Sequence, residues 1–319
     1  MSSFLRFVLR RLLLVVPVLV AMSVFVFLLI RLVPGDPVRT MLGFRATDEN
    51  VATVTAQLGL DRPVVEQYLS WVSGLLRGDL GQDFVSGAPL GDLLAQRIPV
   101  TVELAALSML LAIAVGVPLG VRAARGTGWT SRLSEGFVVL GVSIPDFWLG
   151  IMLVLLFAGT LTLLPPSGFV PFLEDPLGNL RYMVLPVLTL AVGETAYILR
   201  TTRGAVEDVL GRPFVDFLRA KGVREGRILH VHALRNAATP IITVVGVQFG
   251  VLLGGAIIVE TLFALPGVGR LVVTAITQRN YPVVQAGVLA IAAMFVLVSL
   301  ITDLLVAVVD PRVADRVET

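Results

Sequence analysis

The chain has no cysteine, which excludes a disulfide framework, a thiolate metal site and a thiol nucleophile. Its only histidines are His230 and His232, too few for a histidine-rich metal centre. Its only lysine, Lys221, precedes Gly222 rather than Ser or Thr, and no GxxxxGK[ST] sequence occurs. That motif cradles nucleotide phosphates, so any ATP-driven step needs another polypeptide. Gly-x-Ser-x-Gly and His-Glu-x-x-His are also missing, which leaves an intramembrane enzyme without support. Charge itself is scarce, at 15% of residues against about 25% in a soluble domain.

The missing charge is missing in runs. Residues 12–30, 104–121, 147–173, 237–259 and 281–302 each lack Asp, Glu, Lys and Arg. A membrane helix needs roughly 20 such residues. A sixth run, 183–199, is broken only by Glu194. The reading is an all-α polytopic membrane protein with six transmembrane helices. Arg6, Arg10 and Arg11 precede the first run as they precede a signal peptide's core. That run exceeds the usual apolar length and no small-residue cleavage site follows, so it reads as a retained helix.

Six spans place both termini on one side. That side carries sixteen of the 25 Lys and Arg: three in the N-terminus, three in 122–135, eight in 200–236 and two in the tail. The positive-inside rule makes it the cytoplasm. The organisation is then residues 1–33 for the N-terminal end and first span, and 34–99 for an extracytoplasmic segment. Residues 100–309 form a five-helix core with a cytoplasmic loop at 200–240, and 310–319 a cytoplasmic tail. In the outer segment 51–58 and 64–76 look helical, with Val65, Leu69, Val72 and Leu76 on one face. Pro63 suits the first turn of the second helix. The expectation is a cap packed on the bundle or lying at the lipid interface, with contact to a partner as the alternative. The third span, 137–163, would be about 40 Å long if straight, against an apolar layer of about 30 Å. Pro145 should kink it, or its first turns lie outside the layer.

Residues 213–240 form the one strongly basic segment between long apolar runs. Pro213 opens a helix, Phe214, Phe217 and Leu218 make an apolar stripe, and Gly222 can end it in the left-handed conformation. A second helix restarts near Arg224 and runs through Ile228, Val231 and Leu234 toward Pro240. The pattern fits a helix on anionic headgroups or, better, an apolar anchor with a charged rim that docks a soluble partner. Nucleic-acid binding is disfavoured, since no groove-reading motif accompanies the charge. Within the spans, Asp146, Glu194 and Gln248 are candidates to line a pathway. Glu194 alternatively pairs with Arg200 or Arg203, Asp146 holds the kink, and Gln248 hydrogen-bonds a neighbouring helix. Asp303 and Glu260 suit pairing near span ends. Gly246, Gly250, Gly254 and Gly255 suit close helix packing.

The basic segment resembles the EAA loop of ABC-importer permeases, in the dipeptide, oligopeptide and nickel branch. Asp216-Phe217-Leu218-Arg219-Ala220-Lys221-Gly222 takes the place of the Glu-Ala-Ala-x-x-x-Gly start, and His232-Ala233-Leu234-Arg235-Asn236-Ala237 continues it. Asp216 replaces the opening Glu, and Arg235 stands where the general pattern has Pro, which is delayed to Pro240. Further matches are Arg31-Leu32-Val33-Pro34-Gly35-Asp36-Pro37, Leu58-Gly59-Leu60-Asp61-Arg62-Pro63, Ser143-Ile144-Pro145, Val259-Glu260-Thr261-Leu262-Phe263 and Asp310-Pro311-Arg312. Their order spans nearly the whole chain.

The resemblance implies a type I (MetI-like) permease fold with both termini inside, in a bacterial inner membrane and without a cofactor. It implies that the first EAA helix docks in a groove of a cytoplasmic ATPase. By position that role falls on Asp216, Arg219, Ala220, Lys221 and Gly222, with Arg224 and Arg227 as charged support. The implied partners are a second homologous permease subunit, two ATPase domains or subunits, an extracytoplasmic binding protein and membrane lipid. The cargo stays open among dipeptides, longer peptides, nickel chelates, glutathione and haem. The other class of function is a secondary transporter driven by an ion gradient. It should show internal repeats and interrupted helices, and neither is evident in the sequence.

Overall fold

The computed structural model describes residues 3–31, 37–43, 46–57, 59–126 and 128–310. Residues 32–36 of the first motif, Leu58 of the second, and the tail from Pro311 with Arg312 and Arg316 lie outside them. The described residues form fourteen α-helices: α1 (Ser3–Arg31), α2 (Pro37–Leu42), α3 (Asp48–Gln57), α4 (Val64–Leu76), α5 (Leu90–Ala123), α6 (Trp129–Ser143), α7 (Asp146–Val154), α8 (Pro176–Leu210), α9 (Pro213–Ala220), α10 (Glu225–Arg227), α11 (Leu234–Asn236), α12 (Ala238–Leu262), α13 (Val268–Thr277) and α14 (Tyr281–Val309). Two π-helical stretches, Leu155–Thr160 and Ile228–Ala233, follow α7 and α10. The only extended pairing among the described residues is an isolated bridge between Gln82 and Pro89.

Lipid offers the backbone no hydrogen-bond partner, so spanning segments close their bonds internally as helices. Five helices are long and apolar enough to cross: α1 over Arg6–Leu28, α5, α8, α12 and α14. The third expected span, 137–163, departs from expectation. α6 and the α7 region pass the same test only together, and they meet at 99°. Pro145 therefore separates two helices rather than kinking one. A residue before proline is driven out of the helical region, and Ile144 sits at φ −85°, ψ 120°. The uncharged run 147–173 also leaves the helix at Thr160, and a loop follows with Thr162 at φ 51°.

The chain divides into two compact units. One comprises Met1–Leu13, Val102–Leu265 and Phe295–Thr319. In it α8 packs against α6, α7, α12 and the second π stretch. Asp175 caps α8 by accepting the Gly178 N–H at 3.0 Å, and Pro176 opens it. Without a hydrophobic drive between helices in lipid, close backbone approach supplies the packing. A Cβ on Gly120 would lie 2.7 Å from that of Thr202, and one on Gly141 would lie 2.9 Å from that of Ala196. Of the four glycines expected to serve this role on α12, Gly246 and Gly250 abut Thr302 and Phe295 of α14 too closely for any side chain. Gly254 faces open space instead. Arg11 Nη1 meets Asp303 at 3.1 Å, the interhelical pairing expected for Asp303, and Phe7 packs on Ala307 beside it.

The other unit comprises Leu14–Thr101 and Pro266–Met294. Its core gathers Val26, Leu90, Leu94, Val268, Val272 and Val283. The Val268 N–H donates to Thr101 Oγ1 at 2.9 Å. Buried Asn280 donates its amide to Asp83. The expected apolar face of α4 points away from this core: Val65, Leu69 and Leu76 are 68%, 60% and 85% exposed. Tyr68 and Trp71 anchor the helix instead, Tyr68 edge-on to Phe27 and Trp71 stacked on it, with the Tyr68 hydroxyl 2.9 Å from Ser23 Oγ. Beside a membrane an apolar stripe has lipid as an alternative to a protein core.

Asp83 holds the turn between α4 and α5. Burial alone would raise its carboxyl, but bonds from the Ser86 hydroxyl, the Val85 N–H, the Asn280 amide and the Ser86 N–H outweigh that and hold it below its ordinary value. A depressed carboxyl stabilises above its unfolded value, about 3.9, and the contribution is lost as pH falls through the folded one. Hydrogen exchange should therefore show the Val85 amide, 2.8 Å from Asp83 Oδ1, losing protection as pH drops from neutral to below 3. Asp83→Asn should start less protected and change less once intrinsic rates are corrected. An identical pH response in both proteins would contradict this.

Candidate functional site

Pro213 is the first residue of α9 and Arg212 its extended N-cap. The fixed φ of proline suits this position, where no N–H is needed. The helix stops at Lys221, and Gly222 follows at φ 75°. The turn closes with Gly222 N–H to the Arg219 carbonyl at 2.9 Å and Val223 N–H to that of Leu218 at 3.1 Å. Nothing lies within 4 Å of a Cβ placed on Gly222, so the backbone, not space, demands glycine. The chain restarts at Glu225 and proceeds through the π stretch and α11 into α12, with Pro240 inside its first turn. The second helical stretch is thus broken into short pieces where one helix was expected.

The charges form a clasp across this turn. Arg219 Nη1 meets Asp216 at 3.1 Å and its Nε meets Glu225 at 2.8 Å. One guanidinium thereby joins α9 to α10. Glu225 escaped sequence reasoning because helical spacing does not extend across a glycine turn. Lys221 Nζ sits 4.5 Å from the Phe217 ring centroid. Ala220 is exposed at the end of α9. Arg224 and Arg227, with Leu218, Val223 and His232, border an open hollow next to the turn. The expected apolar stripe is turned outward: Phe214 and Phe217 are 36% and 59% exposed, while Val215 is fully buried. Val215 ties the helix to its own unit and leaves the phenylalanines uncovered.

The three candidate pathway residues converge elsewhere in the same unit. Gln248 Nε2 of α12 donates to Glu194 Oε2 of α8 at 3.1 Å, and both side chains are buried. Asp146 opens α7, and its carboxylate oxygens would lie 3.6 and 3.7 Å from a Cβ on Gly193 and Gly255. Glu194 does not pair with Arg203, which binds Glu135 and Glu207 at 2.8 Å each. Arg203 is nine residues further on, about 13.5 Å along the axis and half a turn around. A carboxylate inside a span costs about 2.5–3.5 kcal/mol, while an interhelical hydrogen bond there returns about 0.6 kcal/mol. Stability therefore does not account for Glu194. Among the described residues no group of three His, Asp or Glu is placed to hold a metal ion.

The profile of the family described as the inner membrane component of binding-protein-dependent transport systems matches residues 116–315. The profile of that membrane component's N-terminal region matches residues 4–105. The chain belongs to this family. The dipeptide transport system permease protein DppB of Escherichia coli (strain K12) is 41% identical over 338 residues, covering 98% of this permease and 99% of DppB. A relative from Brucella abortus (strain 2308), named for peptide transport, is 40% identical over 307 residues, covering 96% and 98%. A chain of the inward-facing MetNI methionine ABC transporter superposes with a TM-score of 0.55 at 17% identity, covering 68% of this permease and 96% of that chain. At that identity the likeness shows the fold alone, a MetI-like all-α permease. This permease is accordingly a subunit of an ABC importer in a bacterial inner membrane.

A side chain at a positive φ costs about 1–3 kcal/mol, and the cost at Gly222 is confined to the elbow. Gly222→Val should raise protease cleavage between α9 and α10 several-fold while the melting temperature of the purified permease barely moves. Unchanged cleavage would show that the turn tolerates a side chain.

Proposed function

We propose that this permease carries short peptides, delivered by an extracytoplasmic binding protein, along a pathway shared with a second similar permease. Two cytoplasmic ATPase domains drive it through the elbow at Asp216, Arg219, Ala220, Lys221 and Gly222, with Arg224 and Arg227 as charged support. The cargo class is supported by the names of the relatives that align over nearly the full length. The single observation that carries the coupling role is the exposure of Phe217, 59%, on a helix braced from behind by Val215 and across its end by Arg219. An uncovered aromatic with a charged rim is how a protein interface is anchored. Asp146, Glu194 and Gln248 line the pathway in this reading, because a buried carboxylate within a span marks function before stability. Residues 34–99 form an extracytoplasmic segment, 100–309 the permease core, and 310–319 a cytoplasmic tail.

Truncating an interface anchor costs about 2 kcal/mol or more, which is at least tenfold in affinity. Phe217→Ser should leave membrane insertion intact, reduce co-purification of the ATPase subunits at least tenfold and abolish ATP-dependent uptake of a labelled dipeptide. Normal uptake with normal ATPase recovery would refute the docking role of α9. Loss of uptake with full recovery would place Phe217 in transmission rather than in attachment.

A further inference from the structure

The unit formed by Leu14–Thr101 and Pro266–Met294 contains a cavity of ≈ 420 Å³. Phe27, Arg31, Arg62, Gln67, Trp71 and Gln285 contribute to its wall. Its volume lies within the range of small-ligand sites, about 300–1,000 Å³. Two features set its chemistry. It holds two guanidinium groups, and among the described residues neither is joined to a carboxylate. Arg11, Arg39, Arg203 and Arg219, by contrast, each meet a carboxylate, at 2.6–3.1 Å.

Arg31 is also held in place. Its guanidinium carbon stacks 3.4 Å from the Phe27 ring centroid. Its Nη1 donates to the Phe27 carbonyl at 2.9 Å and its Nη2 to Gln67 Oε1. Gln67 cannot turn away, because its Nε2 donates to the Leu60 and Arg62 carbonyls at 3.1 and 2.8 Å. Those bonds use two of the five N–H donors of a guanidinium. The remaining donors are fixed in a planar fork suited to a phosphate or carboxylate.

Position selects between those anions. The uncharged run of α1 ends at Ile30, and Arg31 is the next residue, about 1.5 Å further along the axis. That depth is the headgroup layer on the extracytoplasmic side. Tyr68 and Trp71 surround Phe27 at the same level, as aromatic residues do at a membrane interface. The uncovered apolar face of α4, Val65, Leu69 and Leu76, supplies a surface for acyl chains beside the charged cavity.

We propose that this cavity binds the phosphodiester headgroup of an anionic phospholipid from the outer leaflet, with Arg31 and Arg62 as its ligands. The lipid seals the outer end of α1 against α4 and supplies the negative charge that the protein leaves out.

Native mass spectrometry of the full-length permease in detergent tests this with phosphatidylglycerol and phosphatidylcholine as probes. The wild type should retain phosphatidylglycerol at least tenfold over phosphatidylcholine. Arg62→Gln, at an exposed side chain, should erase most of that preference, and Arg31→Lys should weaken it by keeping charge without the fork. Arg77→Gln, outside the cavity, should leave it unchanged. Equal retention of the two lipids, or a preference that survives Arg62→Gln combined with Arg31→Gln, overturns the proposal. Displacement of phosphatidylglycerol by millimolar inorganic phosphate or by a tripeptide overturns the lipid as occupant and identifies a free-anion or cargo carboxylate site.

Discussion

A lipid interior that pairs with no backbone polar group decides most of this architecture. Every spanning segment must close its own hydrogen bonds, so the chain is helical wherever it crosses. The same solvent removes the hydrophobic force between helices and leaves close contact to hold them. The arrangement around α8 follows from that. Gly120 meets Thr202, Gly141 meets Ala196, and on α12 Gly246 meets Thr302. Ion pairs appear where the helices leave the apolar layer, as Arg203 does between Glu135 and Glu207. Glu194 is the exception within it, and its single bond to Gln248 returns too little to explain its presence.

α8 gives that exception a mechanical setting. It is one 35-residue helix, and Glu194 lies about 24 Å along its axis from Leu210. One glycine and Arg212 then separate it from α9. Buried residues recur along its length, from Asn179 to Val209, so its two ends are not free to move independently. In the proposed coupling, a displacement of the elbow would reach the helix that carries Glu194, because packed interiors pass strain on rather than absorb it.

Much of this was legible in the sequence because the strongest signals are local and repeated. Uncharged runs of membrane length marked α1, α5, α12 and α14, and the proline and glycine around α9 marked its start and stop. The break at Pro145 was legible in place but not in size. Proline removes a helical bond wherever it sits, while the 99° angle depends on the neighbours that receive the two halves. The clasp from Arg219 to Glu225 and the bond from Asn280 to Asp83 were hidden for another reason. Each joins residues across a turn or a long separation, and composition carries no trace of which polar groups will meet. Orientation of an apolar stripe is equally hidden: spacing shows that Phe214, Phe217 and Leu218 share a face, not whether protein, lipid or a partner covers it.

Exposure consequently carries two meanings along this chain. Leu13, in α1, is 71% exposed, and that exposure costs nothing where lipid is the solvent. Phe217 is 59% exposed on a helix bounded by Arg212, Lys221, Arg224 and Arg227, in a basic loop that the positive-inside rule puts in the cytoplasm. There the solvent is water, and an uncovered aromatic gives up about 25 cal/mol per Å² of apolar area for want of a cover. The stripe on α4 falls between these cases, since it borders the layer where lipid headgroups replace water. Sorting apolar surface by the solvent that faces it turns a uniform list of exposed residues into one that lipid covers and one that water faces, and the docking proposed for α9 rests on its belonging to the second.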